Sequence, residues 1–185
     1  MADERQQRRF AEVVLPHLDD ALSLARWLTG NLADGEDVVQ EATIRAFGAI
    51  GSFRDGNSRA WVLTIVRNTA FSWLRKHRPK SLLVTDDDSI FEAAALSMDG
   101  ASGTQDPESA LIAKADAASI NAAVAALPLN FREILVLREI DGLSYREIAE
   151  VVSLPIGTVM SRLSRARKLL MGALVRTHGA RQGAA

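Results

Sequence analysis

The sequence contains no cysteine and only ten aromatic residues among its 185. Without cysteine, the chain can form neither a disulfide nor a thiolate metal site. The longest stretch without a charged residue, 117–131, has 15 residues and includes three polar residues and a proline. A membrane-spanning helix needs about 20 predominantly apolar residues, so this stretch is too short and too polar. No basic segment followed by an apolar one opens the sequence, and we expect a cytoplasmic protein.

Positive charge is concentrated at the C-terminal end, although the whole chain has a formal charge of −1. Residues 156–185 hold six Lys and Arg and no acid, whereas residues 79–109 hold one Lys and seven Asp and Glu. This asymmetry favours a polyanionic partner for the basic end. A solvated charged tail is the alternative, and charge alone leaves both interpretations open.

Two helical blocks flank a segment of low hydrophobicity. Residues 80–108 contain three consecutive aspartates, several Gly and Ser residues and one Pro, without a sustained apolar period. Such a composition predicts a flexible acidic linker. Alternating β-branched runs, the signal for strands, are missing. The sequence therefore predicts an all-α protein with two small helical domains, at 10–78 and 110–177, joined by a flexible acidic linker at 79–109.

Helix-terminus signals divide the second domain. Two capping residues each stand three positions before a carboxylate: Asn130 before Glu133, and Ser144 before Glu147. They predict a helix at about 131–140, ended by Gly142, and a short helix at about 145–151. Pro155 suits the first position of a longer helix that follows. This order of elements is typical of a helix-turn-helix.

The last helix of this domain separates apolar from basic residues. At about 100° per residue, its buried stripe comprises Val159, Leu163, Ala166 and Leu170. The opposite side carries Gly157, Ser161, Ser164, Arg165 and Lys168, with Arg162 and Arg167 on the flanks. Small residues permit close approach and guanidinium groups reach phosphates, so this side favours entry into a DNA major groove. A merely solvated face, the alternative, would normally include glutamate, and this one has none.

The helix predicted near 34–50 in the first domain has apolar residues on two sides. One stripe comprises Val38, Val39, Ala42 and Ala46, and the other side carries Asp37, Gln40, Glu41, Ile44 and Phe47. Ile44 and Phe47 among acidic residues indicate a docking face for another protein. The alternative is that another helix of the same domain covers both side chains.

The helix predicted near 59–77 also carries aromatic residues outside its packed stripe. The stripe comprises Val62, Ile65, Val66, Thr69 and Trp73, and the other side carries Trp61, Thr64, Asn68, Phe71, Ser72 and Arg75. Aromatic rings beside an amide and a cation can stack on unpaired bases and hydrogen-bond to them. The preceding loop, 52–61, is rich in turn formers and could enclose a flipped base. The alternative is that Trp61 is an ordinary core residue.

Three stretches resemble the bacterial sigma-70 family, in its extracytoplasmic function group. They are ADGEDVVQEATIRAF, AWVLTIVRNTAFSWLRK and LPLNFREILVLREIDGLSYREIAEVVSLPIGTVMSRLSRARKLL. The resemblance implies a dissociable initiation subunit of RNA polymerase that is not an enzyme and needs no cofactor. It also implies an anti-sigma factor as a protein partner that covers the polymerase-binding and DNA-binding faces.

The resemblance assigns contacts to both domains. The positions matching the contact with the clamp helices of the polymerase largest subunit are Asp37, Gln40, Glu41, Ile44 and Arg45. Those matching contacts with the −10 promoter element and an extruded base are Phe53, Ser58, Trp61, Thr64, Asn68, Phe71, Ser72 and Arg75. Those matching contacts with the −35 duplex are Gly157, Thr158, Met160, Ser161, Arg162, Ser164, Arg165, Arg167 and Lys168. The resemblance further implies contact of the second domain with the polymerase flap, and an acidic linker that threads toward the active centre.

Three positions depart from the family pattern. Met160 stands where the family often has Lys or Arg, which removes a contact with phosphate or guanine. Ser72 stands where many relatives carry Asp, and Ser153 occupies a turn position often filled by Gly. We expect the −10 and −35 preferences to differ accordingly.

Two other function classes fit the sequence less well. A two-domain helix-turn-helix regulator that does not bind core polymerase would need a ligand pocket or a receiver-like α/β pattern in its first block, which shows neither. An enzyme needs clustered catalytic or metal-ligating groups. His17, His77 and His178 are instead widely spaced.

Overall fold

The computed structural model describes residues 2–54, 56–78 and 117–182. Within these ranges the chain forms helices and turns and no strand, so the predicted all-α class is confirmed. The first domain comprises α1 (Ala2–Val13), α2 (Leu18–Thr29), α3 (Leu32–Ala49) and α4 (Ser58–His77). Short 3-10 turns at Leu15–His17 and Ile50–Ser52 follow α1 and α3. The predicted linker at 79–109 lies outside the described residues.

Side-chain caps and one glycine set the ends of the helices in the first domain. Asn31 accepts a hydrogen bond from the Asp34 amide at 2.9 Å at the start of α3, and Asn57 accepts from the Ala60 amide at 3.0 Å at the start of α4. Each cap satisfies an amide that has no partner within the helix. Gly30 ends α2 with φ 90°, in the left-handed region that glycine enters without strain.

The core of the first domain lies between α2, α3 and α4. Leu24, Leu28, Val38 and Leu63 are at most 1% exposed there. Burying each side chain of this size contributes about 1.5–3 kcal/mol before the entropy of ordering is counted. Gly35 lets α3 approach α2 closely, because a Cβ at this position would lie 3.0 Å from the backbone of Arg26.

The second domain comprises α5 (Ala117–Ala125), α6 (Leu129–Leu135), α7 (Tyr145–Val152) and α8 (Ile156–Gln182). A π-helical turn at Val136–Ile140 continues α6, so the helix ends where the sequence predicted. The helix after the turn begins at Ile156, and Pro155 precedes it and accepts the first helical bond from Val159 N–H at 3.1 Å. Among the described helices, none is both long and apolar enough to cross a membrane.

The predicted cap at Asn130 is wrong. α6 begins at Leu129, directly after Pro128, whose carbonyl accepts from the amides of Phe131 and Arg132 at 3.0 and 2.9 Å. Glu133 does not reach back to the helix start, because its side chain is 1% exposed and pairs with Arg67 of the first domain. A contact between domains has therefore overridden a local capping signal.

The two domains pack against each other. α4 lies against α7, and α2 lies against α6. Polar contacts accompany this packing, including a hydrogen bond of 3.2 Å from Arg132 to the Trp27 carbonyl. The sequence had predicted two domains on a flexible tether and gave no sign of this interface.

Candidate nucleic-acid interface

The helix-turn-helix of the second domain is built as the sequence predicted. Ser144 and Glu147 form a reciprocal capping box at the start of α7. The Ser144 amide donates to the Glu147 carboxylate at 2.8 Å, and these bonds lower the pKa of Glu147 below its ordinary value. Ser153 ends α7 in the left-handed region, at φ 56° and ψ 45°. A non-glycine residue there costs about 1–2 kcal/mol, so the backbone of the turn into α8 is strained.

The face of α8 that is predicted to contact duplex DNA points toward solvent. Val159, Leu163 and Ala166 are at most 2% exposed and anchor the helix to the domain core. On the other side Gly157, Met160, Ser161, Ser164 and Lys168 are exposed, and Thr158, Arg162, Arg165 and Arg167 are half-buried. Arg167 donates to Glu139 at 2.6 Å, which fixes this guanidinium at the edge of the face. Met160 is 52% exposed and carries no charge.

All the residues of α3 that are predicted to contact polymerase are exposed to solvent. Asp37, Gln40, Glu41, Ile44 and Arg45 are exposed, and Ile44 reaches 69% exposure. Arg45 and Glu41 form an ion pair of 2.5 Å one turn apart.

The two apolar side chains on the outward side of α3, Ile44 and Phe47, differ in their exposure. Phe47 packs edge to face on Phe10 of α1, with ring centroids 5.3 Å apart. The alternative of coverage by another helix is therefore correct for Phe47 and wrong for Ile44. Ile44 is therefore an exposed apolar side chain with polar and charged residues around it on α3.

A cavity of about 330 Å³ lies at the start of α4. It is lined by Ser52, Phe53, Arg54, Asn57, Ala60, Trp61 and Thr64 of the first domain and by Glu150 of the second. Phe53 and Trp61 lie ring to ring, with centroids 5.0 Å apart. The Thr64 hydroxyl donates to the Ala60 carbonyl of its own helix at 2.7 Å. Two aromatic faces and an amide in one concavity can hold a planar base.

The structure brings part of the predicted −10 set together. Phe53, Trp61 and Thr64 line the cavity, and Asn68, Phe71, Ser72 and Arg75 lie further along α4. Ser58 is not in the cavity, and its hydroxyl instead lies 2.9 Å from Nε2 of His17.

Three further lining residues, Ser52, Arg54 and Asn57, belong to the loop at 52–61 that the sequence had singled out as a whole. Sequence reasoning did not single them out individually. Glu150 could not have been found, because it reaches the cavity only through the packing of α7 on α4.

Two family models match the two domains of the chain separately. The family model for sigma-70 region 2 matches residues 13–80, and that for sigma-70 region 4 matches residues 117–170. The extracytoplasmic function sigma-E factor of Escherichia coli K12 is 39% identical over 141 residues, 74% of this chain and 72% of that protein. The chain belongs to the extracytoplasmic function group of the sigma-70 family. The resemblance stated from sequence motifs is thereby confirmed.

Other members of the sigma family are similar over more of the chain. The RNA polymerase sigma-H factor of Pseudomonas aeruginosa is 36% identical over 172 residues, 91% of this chain and 87% of that protein. Among solved structures, the sigma factor RpoE bound to the anti-sigma factor NepR from Bartonella quintana is 28% identical, with a TM-score of 0.64. The aligned region covers 94% of this chain and 98% of the RpoE chain. The structure of CnrH with the cytosolic domain of CnrY gives a TM-score of 0.62 and 28% identity, over 92% of this chain and 90% of that chain.

Proposed function

We propose that this sigma factor binds core RNA polymerase in the cytoplasm and directs it to promoters by reading two DNA elements with two domains. The observation that carries the proposal is that one chain holds both a base-sized aromatic cavity and an acid-free basic helix, on separate domains. The protein acts by binding, and the chemistry of transcription belongs to the polymerase.

The first domain binds the −10 element as a single strand. Trp61 and Phe53 supply the stacking faces of the cavity, and Asn68 and Arg75 are exposed further along the same helix. Extruding a base costs a few kcal/mol, and stacking on an aromatic ring returns about 1–3 kcal/mol per base. One trapped base with its edge hydrogen bonds is therefore enough to offset the unpairing.

The second domain binds the −35 element as duplex. α8 enters the major groove with Gly157 and Ser161 at the point of closest approach, and Arg165 and Lys168 reach bases or phosphates. Met160 supplies no charge where a cation would add a phosphate contact, so the −35 preference depends more strongly on Arg165. Met160 and Ser72, both uncharged, support promoter preferences that differ from those of relatives with charged residues at these positions.

The outward side of α3 binds the clamp helices of the polymerase largest subunit. Its supporting features are the 69% exposed Ile44 and the exposed polar residues around it, Asp37, Gln40, Glu41 and Arg45. An apolar centre with a polar rim is the usual composition of a protein interface. The acidic linker at 79–109 continues this contact toward the active centre, and the second domain touches the flap.

An anti-sigma factor controls access to these faces. The support is that the solved sigma factor RpoE named above is bound to an anti-sigma factor, NepR.

Transcription reconstituted from purified parts tests the proposal. The sigma factor is added to core polymerase with a genomic promoter library, and transcript 5′ ends are mapped. We expect start sites that share two sequence boxes and depend on the added protein. A library that yields no sigma-dependent start site would contradict the function. A single-alanine variant at Arg165 serves as the control, because it should reduce initiation without altering the −10 box.

A further inference from the structure

The first helix, α1, lies against the part of the chain that leads into the cavity. It packs on α3 and on the 3-10 turn at Ile50–Ser52. Phe10 of α1 meets Phe47 of α3 edge to face, with planes at 70°. Val14, directly after α1, is 1% exposed. The helix is therefore docked on the same domain that carries the cavity.

Two side chains of α1 hold backbone carbonyl groups near the cavity. Gln6 donates its side-chain amide to the Phe47 carbonyl at 3.0 Å, and Arg9 donates its guanidinium to the Phe53 carbonyl. Gln6 and Arg9 are three positions apart, so they share one face of α1. Carbonyl groups in the last turn of an α-helix lack a partner within that helix. One face of α1 thus supplies donors to the end of α3 and to the segment that follows it.

Phe53 is held through both polar groups of its backbone. Its amide donates to the Ile50 carbonyl at 3.2 Å, and its carbonyl accepts from Arg9. Ile50 is 1% exposed, so the first of these bonds is anchored in the core. Phe53 itself has extended backbone, with φ −63° and ψ 119°. The Arg9 bond fixes the orientation of the peptide group through which the chain leaves Phe53.

The shape of the cavity depends on where Phe53 lies. The rings of Phe53 and Trp61 both line the cavity, with their planes at 48°. Trp61 is fixed to α4 by its place in the helix, whereas Phe53 stands outside any α-helix. A binding site whose walls are ordered beforehand loses less entropy when its ligand binds. What holds Phe53 therefore affects how tightly the cavity can bind.

We propose that Arg9 is a positioning residue for −10 recognition: it fixes Phe53 against Trp61 and so preorganises the cavity for the extruded base. Gln6 supports it by holding the end of α3. This inference rests on the function proposed above. Arg9 acts through the Phe53 carbonyl, and its guanidinium does not need to touch DNA. Without this bond the cavity has a mobile wall, which binds the extruded base more weakly.

Fluorine NMR tests the positioning without DNA. The chain has three tryptophans, and 5-fluorotryptophan gives one resonance for each, assigned by single Trp→Phe variants. We expect Arg9→Met, which removes the donor and keeps an unbranched side chain, to shift and broaden the Trp61 resonance. The resonances of Trp27 and Trp73 should stay in place, because neither ring is among those that line the cavity. An unchanged Trp61 resonance would overturn the positioning.

Arg8→Met is the matched control. Arg8 is exposed, as Arg9 is, and the two side chains leave α1 about 100° apart. The control loses the same charge and keeps the bond to Phe53, so its Trp61 resonance should match that of the unaltered chain. Both variants should unfold at nearly the same temperature as the unaltered chain, since both positions are exposed. A change at Trp61 in Arg9→Met alone then reports positioning and not a loss of fold.

Binding of two fluorescent −10 single strands tests the consequence for recognition. One strand comes from a mapped promoter, and the other has an abasic site in place of the extruded base. We expect the ratio of the two affinities to fall about five-fold or more in Arg9→Met, the lower end of the contribution of one stacked base. The ratio should be unchanged in Arg8→Met, and Arg9→Lys, which keeps a donor, should restore most of it.

Two results with these strands would overturn the inference. One is a ratio in Arg9→Met equal to that of the unaltered chain. The other is equal weakening on both strands, which would make Arg9 a phosphate contact and not a positioning residue. Normal sigma-dependent start sites alongside either result would leave the proposed function standing. The proposed function fails separately, through absence of such start sites with the unaltered chain, and the fluorine spectrum would still report the Arg9 contact.

Discussion

The side-chain amide of Asn57 donates to the Glu147 carboxylate at 2.8 Å, and each of these residues also caps a helix of its own domain. Asn57 starts α4, which carries the cavity, and Glu147 completes the capping box of α7, the first helix of the helix-turn-helix. The helix that carries the cavity and the first helix of the helix-turn-helix are therefore joined at their N-terminal ends. A change at either residue alters a local cap and the contact between domains together.

Removing the cap of α7 should weaken the second domain. We expect Ser144→Ala to lower its stability by about 1 kcal/mol, since the Ser144 hydroxyl both donates to the Glu147 carboxylate and accepts from the Glu147 amide, and both bonds are lost. Thermal unfolding followed by circular dichroism measures the change. Ser144→Thr keeps the hydroxyl and is the control. Equal unfolding temperatures for the alanine and threonine variants would show that the box contributes nothing.

The cavity should account for promoter opening. We expect Trp61→Ala to reduce open-complex formation at a mapped promoter by about 1–3 kcal/mol, the value of one stacked base. Trp61→Phe keeps a ring opposite Phe53 and should lose less. Fluorescence of 2-aminopurine in the −10 element reports the opening. If the alanine variant opens the promoter normally while −35 binding is unchanged, Trp61 does not hold a base.

Arg165 should contribute directly to −35 binding. We expect Arg165→Ala to weaken binding to the −35 duplex by roughly 1–3 kcal/mol. Arg176→Ala, on the same helix and outside the predicted contact set, removes an equal charge and serves as the control. Fluorescence anisotropy at several salt concentrations separates base contacts from phosphate contacts. Equal affinities for the two variants would remove Arg165 from the contact list.

The outward side of α3 should affect core polymerase binding without affecting folding. We expect Ile44→Ser, or the pair Gln40→Ala and Glu41→Ala, to weaken association with core polymerase. Their unfolding temperature should stay nearly constant, because exposed substitutions usually change stability by less than about 0.5 kcal/mol. Glu36→Ala, on the same helix and also exposed, is the control. Intact core association in all these variants would place the docking face elsewhere.

Asp141 should make the packing of the two domains depend on pH. Burial raises the pKa of Asp141 to about 6, opposed by the Ser23 hydrogen bond, while Asp20 adds to the increase and Arg59 reduces it. Packed domains are expected to hold this proton more tightly than separated domains, so Asp141 favours the packing fully below its ordinary pKa. That contribution is lost as pH rises through about 6. Burial also raises the pKa of Glu133, against the opposing effect of Arg67.

Nuclear magnetic resonance can follow the Asp141 carboxyl directly. We expect a pKa near 6 in the unaltered chain and a lower one, toward the ordinary value of about 3.9, in Glu133→Arg. In Asp141→Asn, the distance between spin labels at Gly48→Cys and Ala122→Cys, one exposed site on each domain, should no longer change between pH 5 and 7. An unshifted Asp141 in the unaltered chain would contradict its burial between the domains.

The sequence by itself determined the helices and the faces that they present. Caps such as Ser144 with Glu147, and stripes such as Val159, Leu163 and Ala166, depend on residues three or four positions apart. Interactions at that spacing form within a single helix, so spacing alone predicts them. Spacing placed Ile44 and Phe47 on the outward side of α3 and Trp61 beside the loop. It left open whether another helix covers Ile44 and Phe47, because that depends on where α1 packs.

Only the tertiary structure decided how the two domains meet. Arg67 and Glu133 are 66 positions apart, and Asn57 and Glu147 are 90 apart. Glu133 stood at the position of a capping box, which a local interpretation assigns to its own helix. It pairs with Arg67 instead, because its carboxylate is buried against α4 and the nearby guanidinium offers two hydrogen bonds. Which distant partner a charged residue finds depends on the packing of whole helices, and no local spacing records that packing.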